Sequence, residues 1–149
     1  MTRIPIARAI VVWLLIIAVE TVHGILRGML LVPVVGDFRA RQIGVFIGSA
    51  LILGVSWLMI RWMTDGRSPG RGALIRVGGL WTALTLAFEF SLGAALGRTW
   101  PNMLADYDLP HGGLMPFGLV ILVLAPWIVA KLRHVSGAAE QAAWDEQSH

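Results

Sequence analysis

Four long apolar segments, separated by short polar ones, make up most of the chain. They occupy residues 9–32, 43–60, 77–96 and 112–130. At a rise of about 1.5 Å per helical residue, each segment crosses most of a hydrocarbon core of ~30 Å. A bilayer also requires backbone polar groups to be satisfied internally, which helices achieve. The pattern therefore predicts an all-α integral membrane protein, a four-helix transmembrane bundle.

The polar segments divide the chain into two helical hairpins. We expect a first transmembrane hairpin over residues 1–63, a cytoplasmic hinge loop over 64–72, a second transmembrane hairpin over 73–135 and a polar cytoplasmic tail over 136–149. The hinge loop reads TDGRSPGRG, and its glycines and proline are typical of a flexible turn. The tail is small, polar and acidic, which predicts a frayed or disordered solvated end.

Composition agrees with a membrane location and excludes several kinds of site. The 149 residues are 56% hydrophobic and only 14% charged, whereas about a quarter of the residues of a soluble domain are charged. Because the chain has no cysteine, disulfides, thiolate metal sites, iron–sulfur clusters and CxxCH haem attachment are excluded. The sequence contains no P-loop, nucleophile elbow or dinucleotide fingerprint. It assigns no cofactor.

Basic residues flank the spans instead of forming one soluble patch, so no nucleic-acid partner is expected. More of them lie beside the N-terminus, the hinge loop and the C-terminal end than in the other two loops. The first group is Arg3, Arg8, Arg61, Arg67, Arg71, Arg76, Lys131 and Arg133, and the second is Arg39, Arg41 and Arg98. The positive-inside rule then places both termini in the cytoplasm, which suits a bacterial inner membrane. The basic side should also attract anionic lipid headgroups.

The two hairpins share a sequence pattern. At an offset of 69 residues, Glu20 aligns with Glu89, Gly24 with Gly93, Gly28 with Gly97, Asp37 with Asp106 and Gly44 with Gly113. At an offset of 68, Arg8 and Trp13 align with Arg76 and Trp81. Copies of a two-span unit point the same way, so the pattern predicts a parallel internal repeat. Chance matching in an apolar, glycine-rich chain is the alternative.

Glycines spaced four apart form flat helix faces that allow two helices to approach closely. Gly24 and Gly28 provide such a face on the first span, and Gly93 and Gly97 provide one on the third. We therefore predict that these spans cross through their glycines. The alternative is that glycine is simply frequent in transmembrane helices. The second span repeats the spacing at Gly44 and Gly48.

Ionisable residues inside the spans form a second pattern. Glu20, His23 and Arg27 follow i, i+3, i+7 spacing and so lie on one helix face. Glu89 lies at the same depth as Glu20, roughly 18–20 Å from the basic side at ~1.5 Å per residue. A charge at the bilayer centre costs at least ~2.5–3.5 kcal/mol, so these groups should face the bundle. We expect Arg27 to pair with Glu20 or Glu89, and His23 to bridge them.

This polar cluster has two interpretations. In the functional one it is a proton or cation relay, in which Glu20 and Glu89 titrate, His23 relays and Arg27 is the countercharge. In the structural one it is a hydrogen-bonded network that fixes the register of the helices. An Arg27 side chain close to the outer boundary could also snorkel to the headgroups, which would weaken the cluster.

Two weaker patterns suggest metal binding. Glu20-x-x-His23 has the spacing that di-iron bundles use, and Glu89 is a further candidate ligand, but a single chain supplies too few carboxylates for two irons. In the outer loop, Asp106, Asp108 and His111 are a possible cation site. Asp and Pro are equally ordinary turn residues, so a simple turn is the alternative.

The leading functional hypothesis is proton- or cation-coupled transport of a small solute. One alternative is a structural or assembly subunit of a larger membrane complex. Another is a membrane enzyme, or a metal- or haem-binding protein, that uses Glu20 and His23. Four spans are few to enclose a pathway, so we also expect a homo-oligomer, with a dimer as the default.

Overall fold

The computed structural model describes the backbone of residues 4–147 and the side chains of residues 4–133. Within that range the chain is helical and contains no strand. Four long helices follow one another, α1 (Ile6–Val35), α2 (Asp37–Thr64), α3 (Arg71–Ala95) and α4 (Met115–Gln147). Each contains a segment long and apolar enough to cross a membrane. The predicted all-α class with four spans is confirmed at this level.

The helices differ from the predicted spans at their ends. α1 extends past its predicted segment at both ends, through Ile6 and Val35, and α2 includes the polar residues on either side of its apolar segment, from Asp37 to Thr64. α4 begins at Met115, later than predicted, after a left-handed Gly112 with φ of +88°. It then continues to Gln147, so the backbone of the predicted tail, residues 136–149, is helical as far as 147. The side chains of that tail lie outside the described residues.

α1 changes its hydrogen-bond pattern near its end. Residues Arg27–Leu31 form a π-helix, in which the N–H of Val32 donates to the Arg27 carbonyl. Pro33 follows and has no N–H to donate to the Met29 carbonyl, so an ordinary α-helical bond is lost there. The wider π turn accommodates this loss and shifts the side-chain register. Such turns are frequent at functional sites, and this one starts at Arg27.

Two antiparallel pairs, α1 with α2 and α3 with α4, pack together through α2 and α4. Two tryptophans join α1 to α3. Trp13 Nε1 donates to Thr85 Oγ1 at 3.1 Å, and Trp81 Nε1 donates to the Ala9 carbonyl at 2.8 Å. The apolar core surrounds the fully buried Trp81. We call the half of the bundle that holds this core the basic half, and the other half, which holds residues 96–114, the loop half.

Basic side chains at the end of the basic half lie over tryptophan rings. Arg8 stacks on Trp62 at 5.4 Å, and its Nη1 donates to Asp65 Oδ1 and to the Trp62 carbonyl. Arg71 and Lys131 both lie over Trp127, and Arg133 lies over Trp57. Cation–π contacts of this kind contribute about 0.5–1 kcal/mol each where exposed. They tie the ends of all four helices together.

The closest approach between helix backbones is at a glycine that the sequence pattern did not indicate. A Cβ on Gly78 of α3 would overlap the carbonyl of Val123 on α4. By contrast, a Cβ on Gly24 or Gly28 would meet no other atom within 4 Å. The predicted crossing of the first and third spans through their glycines is therefore wrong within one chain. Gly93 packs against the Met103 side chain, and Gly97 is a left-handed residue after α3.

We expect Gly78→Ala to destabilise the protein by overpacking, which costs about 1–3 kcal/mol in tightly packed cores. Gly79→Ala is the matched control, because a Cβ on that neighbouring glycine faces open space. The measurement is the thermal unfolding midpoint of each variant in the same detergent. Equal midpoints for the two variants would contradict the close contact between α3 and α4.

The Arg8–Asp65 pair gives a prediction about pH. The Arg8 guanidinium lowers the pKa of Asp65 below its ordinary value, chiefly through their hydrogen bond. Stability from the pair is therefore present above the ordinary carboxyl pKa, near pH 4, and is lost as pH falls through the lowered pKa. We expect wild type to exceed Asp65→Asn in thermal midpoint at pH 7, and the difference to vanish in acid. A difference that stays constant with pH would contradict this account.

Candidate functional site

A cavity of about 690 Å³ occupies the loop half of the bundle. It is lined by all four helices and by the loop between α3 and α4. Its inner end meets the apolar core at Ile16, Ile52 and Leu122, and most of its wall is apolar. Cavities of 300–1,000 Å³ hold small molecules in other proteins, so this one has the size of a ligand site.

The predicted polar cluster lines this cavity. Glu20, His23 and Arg27 reach it from α1, and Glu89 reaches it from α3. Asp106, Asp108 and His111 of the outer loop line the same cavity. Two regions that the sequence analysis treated separately are thus parts of one space.

Two buried glycines on α2 make room for the long polar side chains of α1. A Cβ on Gly48 would lie 2.8 Å from Glu20 Oε2, and one on Gly44 would lie 2.7 Å from Arg27 Cδ. Both side chains therefore lie directly against the α2 backbone.

The polar face of α1 is incompletely paired. His23 Nδ1 lies 3.3 Å from Glu20 Oε2, but Glu20 Oε1, His23 Nε2 and Arg27 Nη1 are buried without a hydrogen-bond partner among the described residues. Arg27 forms no ion pair with any carboxylate that the structure describes. The expectation that Arg27 pairs with Glu20 or Glu89 is therefore wrong. The Glu20–His23 contact is made within one helix turn.

Glu89 is paired with the outer loop instead. Tyr107 donates its hydroxyl to Glu89 Oε2 at 3.1 Å. The Tyr107 ring stacks on Phe90, which also contacts Trp100. Burial, with the neighbouring Glu89 carboxylate, raises the pKa of Tyr107 above its ordinary value. Tyr107 therefore keeps its proton at physiological pH and remains a hydrogen-bond donor to Glu89.

A second arginine, Arg41, binds two carboxylates at the cavity mouth through its two Nη atoms, and its Nε is buried without a partner. Arg41 Nη1 donates to Asp106 Oδ1 at 2.6 Å, and its Nη2 donates to Asp37 Oδ2 at 2.5 Å. Charge-assisted bonds of this kind are about twice as strong as neutral ones. They fasten the start of α2 to the loop that carries Tyr107. Gln42 adds a weak bond to the Gly112 carbonyl at 3.4 Å.

The possible cation site in the outer loop is not formed. Asp106 is taken by Arg41, and Asp108 is paired with a largely exposed His111 at 2.7 Å. Among the described side chains, no three His, Asp or Glu residues are grouped closely enough to hold a metal ion. The candidate ligands Glu20, His23 and Glu89 line one cavity but do not converge on one point. Neither glutamate is hydrogen-bonded to the other.

Comparisons with protein-family models, curated proteins and solved structures found no match to this chain. The chemistry of the cavity is therefore interpreted from its own residues.

Some parts of the site had no signal in the sequence. The hydroxyl of Tyr107 reaches Glu89 across a loop, and no spacing rule connects a loop residue to a helix face. The role of Gly44 and Gly48 had a partial signal, because their spacing was visible. Their partners were not, since the sequence does not specify which face of α1 packs against α2.

We expect the cavity to be open to water-soluble reagents. The chain has no cysteine, so a single cysteine reports one position. Ser49→Cys, which lines the cavity, should react with a charged methanethiosulfonate reagent in membranes. Leu58→Cys, whose side chain is 68% exposed on the bundle surface, should face lipid and react slowly. Similar rates at both positions would contradict a water-accessible cavity.

Proposed function

We propose that the protein is a small transporter that moves a small solute through this cavity, coupled to protons or cations. The observation that carries the proposal is the row of buried, unpartnered polar atoms on Glu20, His23 and Arg27 beside an open space. A buried donor or acceptor without a partner costs about 1–3 kcal/mol. Water or a solute in the cavity would supply the missing partners.

Glu20 and Glu89 are the groups that we propose to exchange protons. They lie on different helices and line the same cavity. Each also has a neighbour that responds to its charge. His23 contacts Glu20, and Tyr107 donates to Glu89. Loss of the charge on Glu89 would weaken the bond from Tyr107, because hydrogen bonds to ionised groups are stronger. Proton uptake would thus loosen the loop that covers the cavity.

The finer architecture forms part of the same proposal. We infer that the two hairpins are parallel repeats, that both termini are cytoplasmic and that the membrane is a bacterial inner membrane. The concentration of arginine and lysine at the end of the basic half, over tryptophan rings, supports this orientation. Anionic lipids would bind the same end. A homo-oligomer would complete the pathway that four helices only partly enclose.

One observation favours the second candidate, a subunit of a larger membrane complex. Gly24 and Gly28 leave an open face on α1, next to exposed side chains of Ile25 and Met29. A glycine face of this kind suits contact with another transmembrane helix. Under this alternative, Gly24 and Gly28 pack against a transmembrane helix of another chain.

Proton flux distinguishes the two candidates. Purified protein is reconstituted into liposomes that contain a pH-sensitive dye, and a potassium gradient with valinomycin drives protons inward. We expect wild type to acidify the interior faster than empty liposomes. Glu20→Gln and Glu89→Gln should each slow the flux at least ~10-fold, because a positioned acid–base group typically contributes 10²- to 10⁴-fold. Asp65→Asn, which removes a carboxylate outside the cavity, should leave the rate unchanged.

The thermal midpoint of each variant provides the second measurement. Glutamine variants that fold as well as wild type but conduct poorly would support the transport proposal. No flux above empty liposomes, together with glutamine variants of lowered midpoint, would contradict it and favour the subunit candidate.

A further inference from the structure

α1 and α3 both line the cavity. The two hydrogen bonds that join these helices, at Trp13 and Trp81, lie in the basic half. Among the described residues, no hydrogen bond joins them in the loop half. Gly24 lines the cavity, yet a Cβ at this position would meet nothing within 4 Å. Open space thus lies beside Gly24 on the cavity wall, and we call this space the gap.

The rim of this gap is apolar and exposed. Ile25 on α1 is 57% exposed, Leu92 on α3 is 43% exposed and Leu96, which directly follows α3, is 70% exposed. All three also line the cavity. In a helix that crosses a bilayer, exposed side chains of this kind face acyl chains. A path from the lipid phase through this gap would therefore be lined by apolar side chains, in contrast to the polar mouth near Arg41.

The interior offers an apolar wall and a buried, unpartnered nitrogen of Arg27. Ile16, Ile52 and Leu122 form the inner wall. Arg27 presents a buried Nη1 without a partner, whereas Arg41 is held by two aspartates. Glu20 is engaged with His23 and Glu89 with Tyr107. Arg98 also lines the cavity but is exposed, and Arg41, although its Nε is unpaired, already binds two carboxylates. The buried nitrogen that suits an anion is therefore Arg27 Nη1.

We propose that the solute is a single-chain anionic amphiphile, which enters from the bilayer through the gap between α1 and α3. Its headgroup binds the Arg27 guanidinium, and its chain lies against Ile16, Ile52 and Leu122. A cavity of about 690 Å³ is of the size that holds one small molecule, which favours one chain over a two-chain phospholipid. The inference rests on the proposed use of the cavity as a solute site.

Photo-crosslinking in liposomes tests the ligand class. The probe is a fatty acid with a diazirine in its chain and a terminal alkyne, and its labelling sites are mapped by mass spectrometry. The matched probe is the corresponding primary amide, which has the same chain and no charge. We expect the carboxylate probe to label the cavity wall around Ile52 and Leu122, and the amide to label it at least tenfold less. A tenfold preference corresponds to about 1.4 kcal/mol.

Variants separate the headgroup site from the entrance. Arg27→Gln should abolish the preference for the carboxylate probe, and Arg27→Lys should retain part of it. Gly24→Trp should block the gap and remove most cavity labelling, because its side chain projects into the opening. Gly79→Trp is the control, since that glycine also faces open space but does not line the cavity. Thermal midpoints confirm that each variant is folded.

Three results would overturn the proposal. These are labelling confined to lipid-facing positions such as Phe46 and Leu58, equal labelling by the acid and amide probes, and equal labelling by a two-chain anionic phospholipid probe. The proton-flux assay distinguishes failure of the amphiphile proposal from failure of the transport proposal. Proton flux without cavity labelling would leave transport standing with a water-soluble solute. Cavity labelling without flux would leave an amphiphile-binding site in a protein that does not transport.

Discussion

A charged side chain inside a bilayer must be shielded from lipid, and α1 carries three ionisable residues on one face. This constraint determines how α1 packs. Its polar face is directed toward α2. Gly44 and Gly48 have no side chains there, so Arg27 and Glu20 lie directly against the α2 backbone. Larger residues at those glycines would push the polar groups outward. The position of α1, and the space beside it, follow from this contact.

The bundle divides into a packed half and an open half because its strongest contacts are unevenly distributed. In the basic half, Trp81 fills the centre of the core, and Gly78 brings the backbones of α3 and α4 together. In the loop half, polar side chains and glycines lie among the apolar residues of the wall, and the helices enclose the cavity. The Arg41 pairs with Asp37 and Asp106 hold the outer loop in place over this cavity. A rigid base and a loop attached by a few polar contacts are the parts that gated access requires.

Sequence reasoning succeeded where the physics is local. Hydropathy located the four spans, and helical spacing placed Glu20, His23 and Arg27 on one face. Sequence reasoning failed for the packing partners of the glycine faces, because tertiary packing determines them. Gly24 and Gly28 have the same spacing as Gly44 and Gly48, but only the second pair lies against another helix of the chain. Spacing defines a flat face, and the identity of the partner depends on how the helices are arranged.

The pairing of Arg27 failed for a related reason. Opposite charges at the same depth suggest an ion pair, but the side chain of Glu89 is directed to Tyr107 and that of Glu20 to His23. Loop residues that fold back into a bundle leave no periodic signal. The sequence therefore identified the members of the polar cluster and not their partners.

The two arginines near the cavity differ in a way that bears on function. Both Nη atoms of Arg41 donate to carboxylates of this chain, and only its Nε is buried without a partner. Arg27, one helix away, has a buried Nη1 with no partner and no carboxylate bound, and Glu20 Oε1 and His23 Nε2 are also buried without a partner. A buried polar group without a partner is unfavourable by about 1–3 kcal/mol. At Arg41 the carboxylate partners come from the chain itself. The unpaired hydrogen-bonding groups on α1 instead favour a partner from outside the chain. Binding of that partner would form the hydrogen bonds that are missing in the folded chain alone.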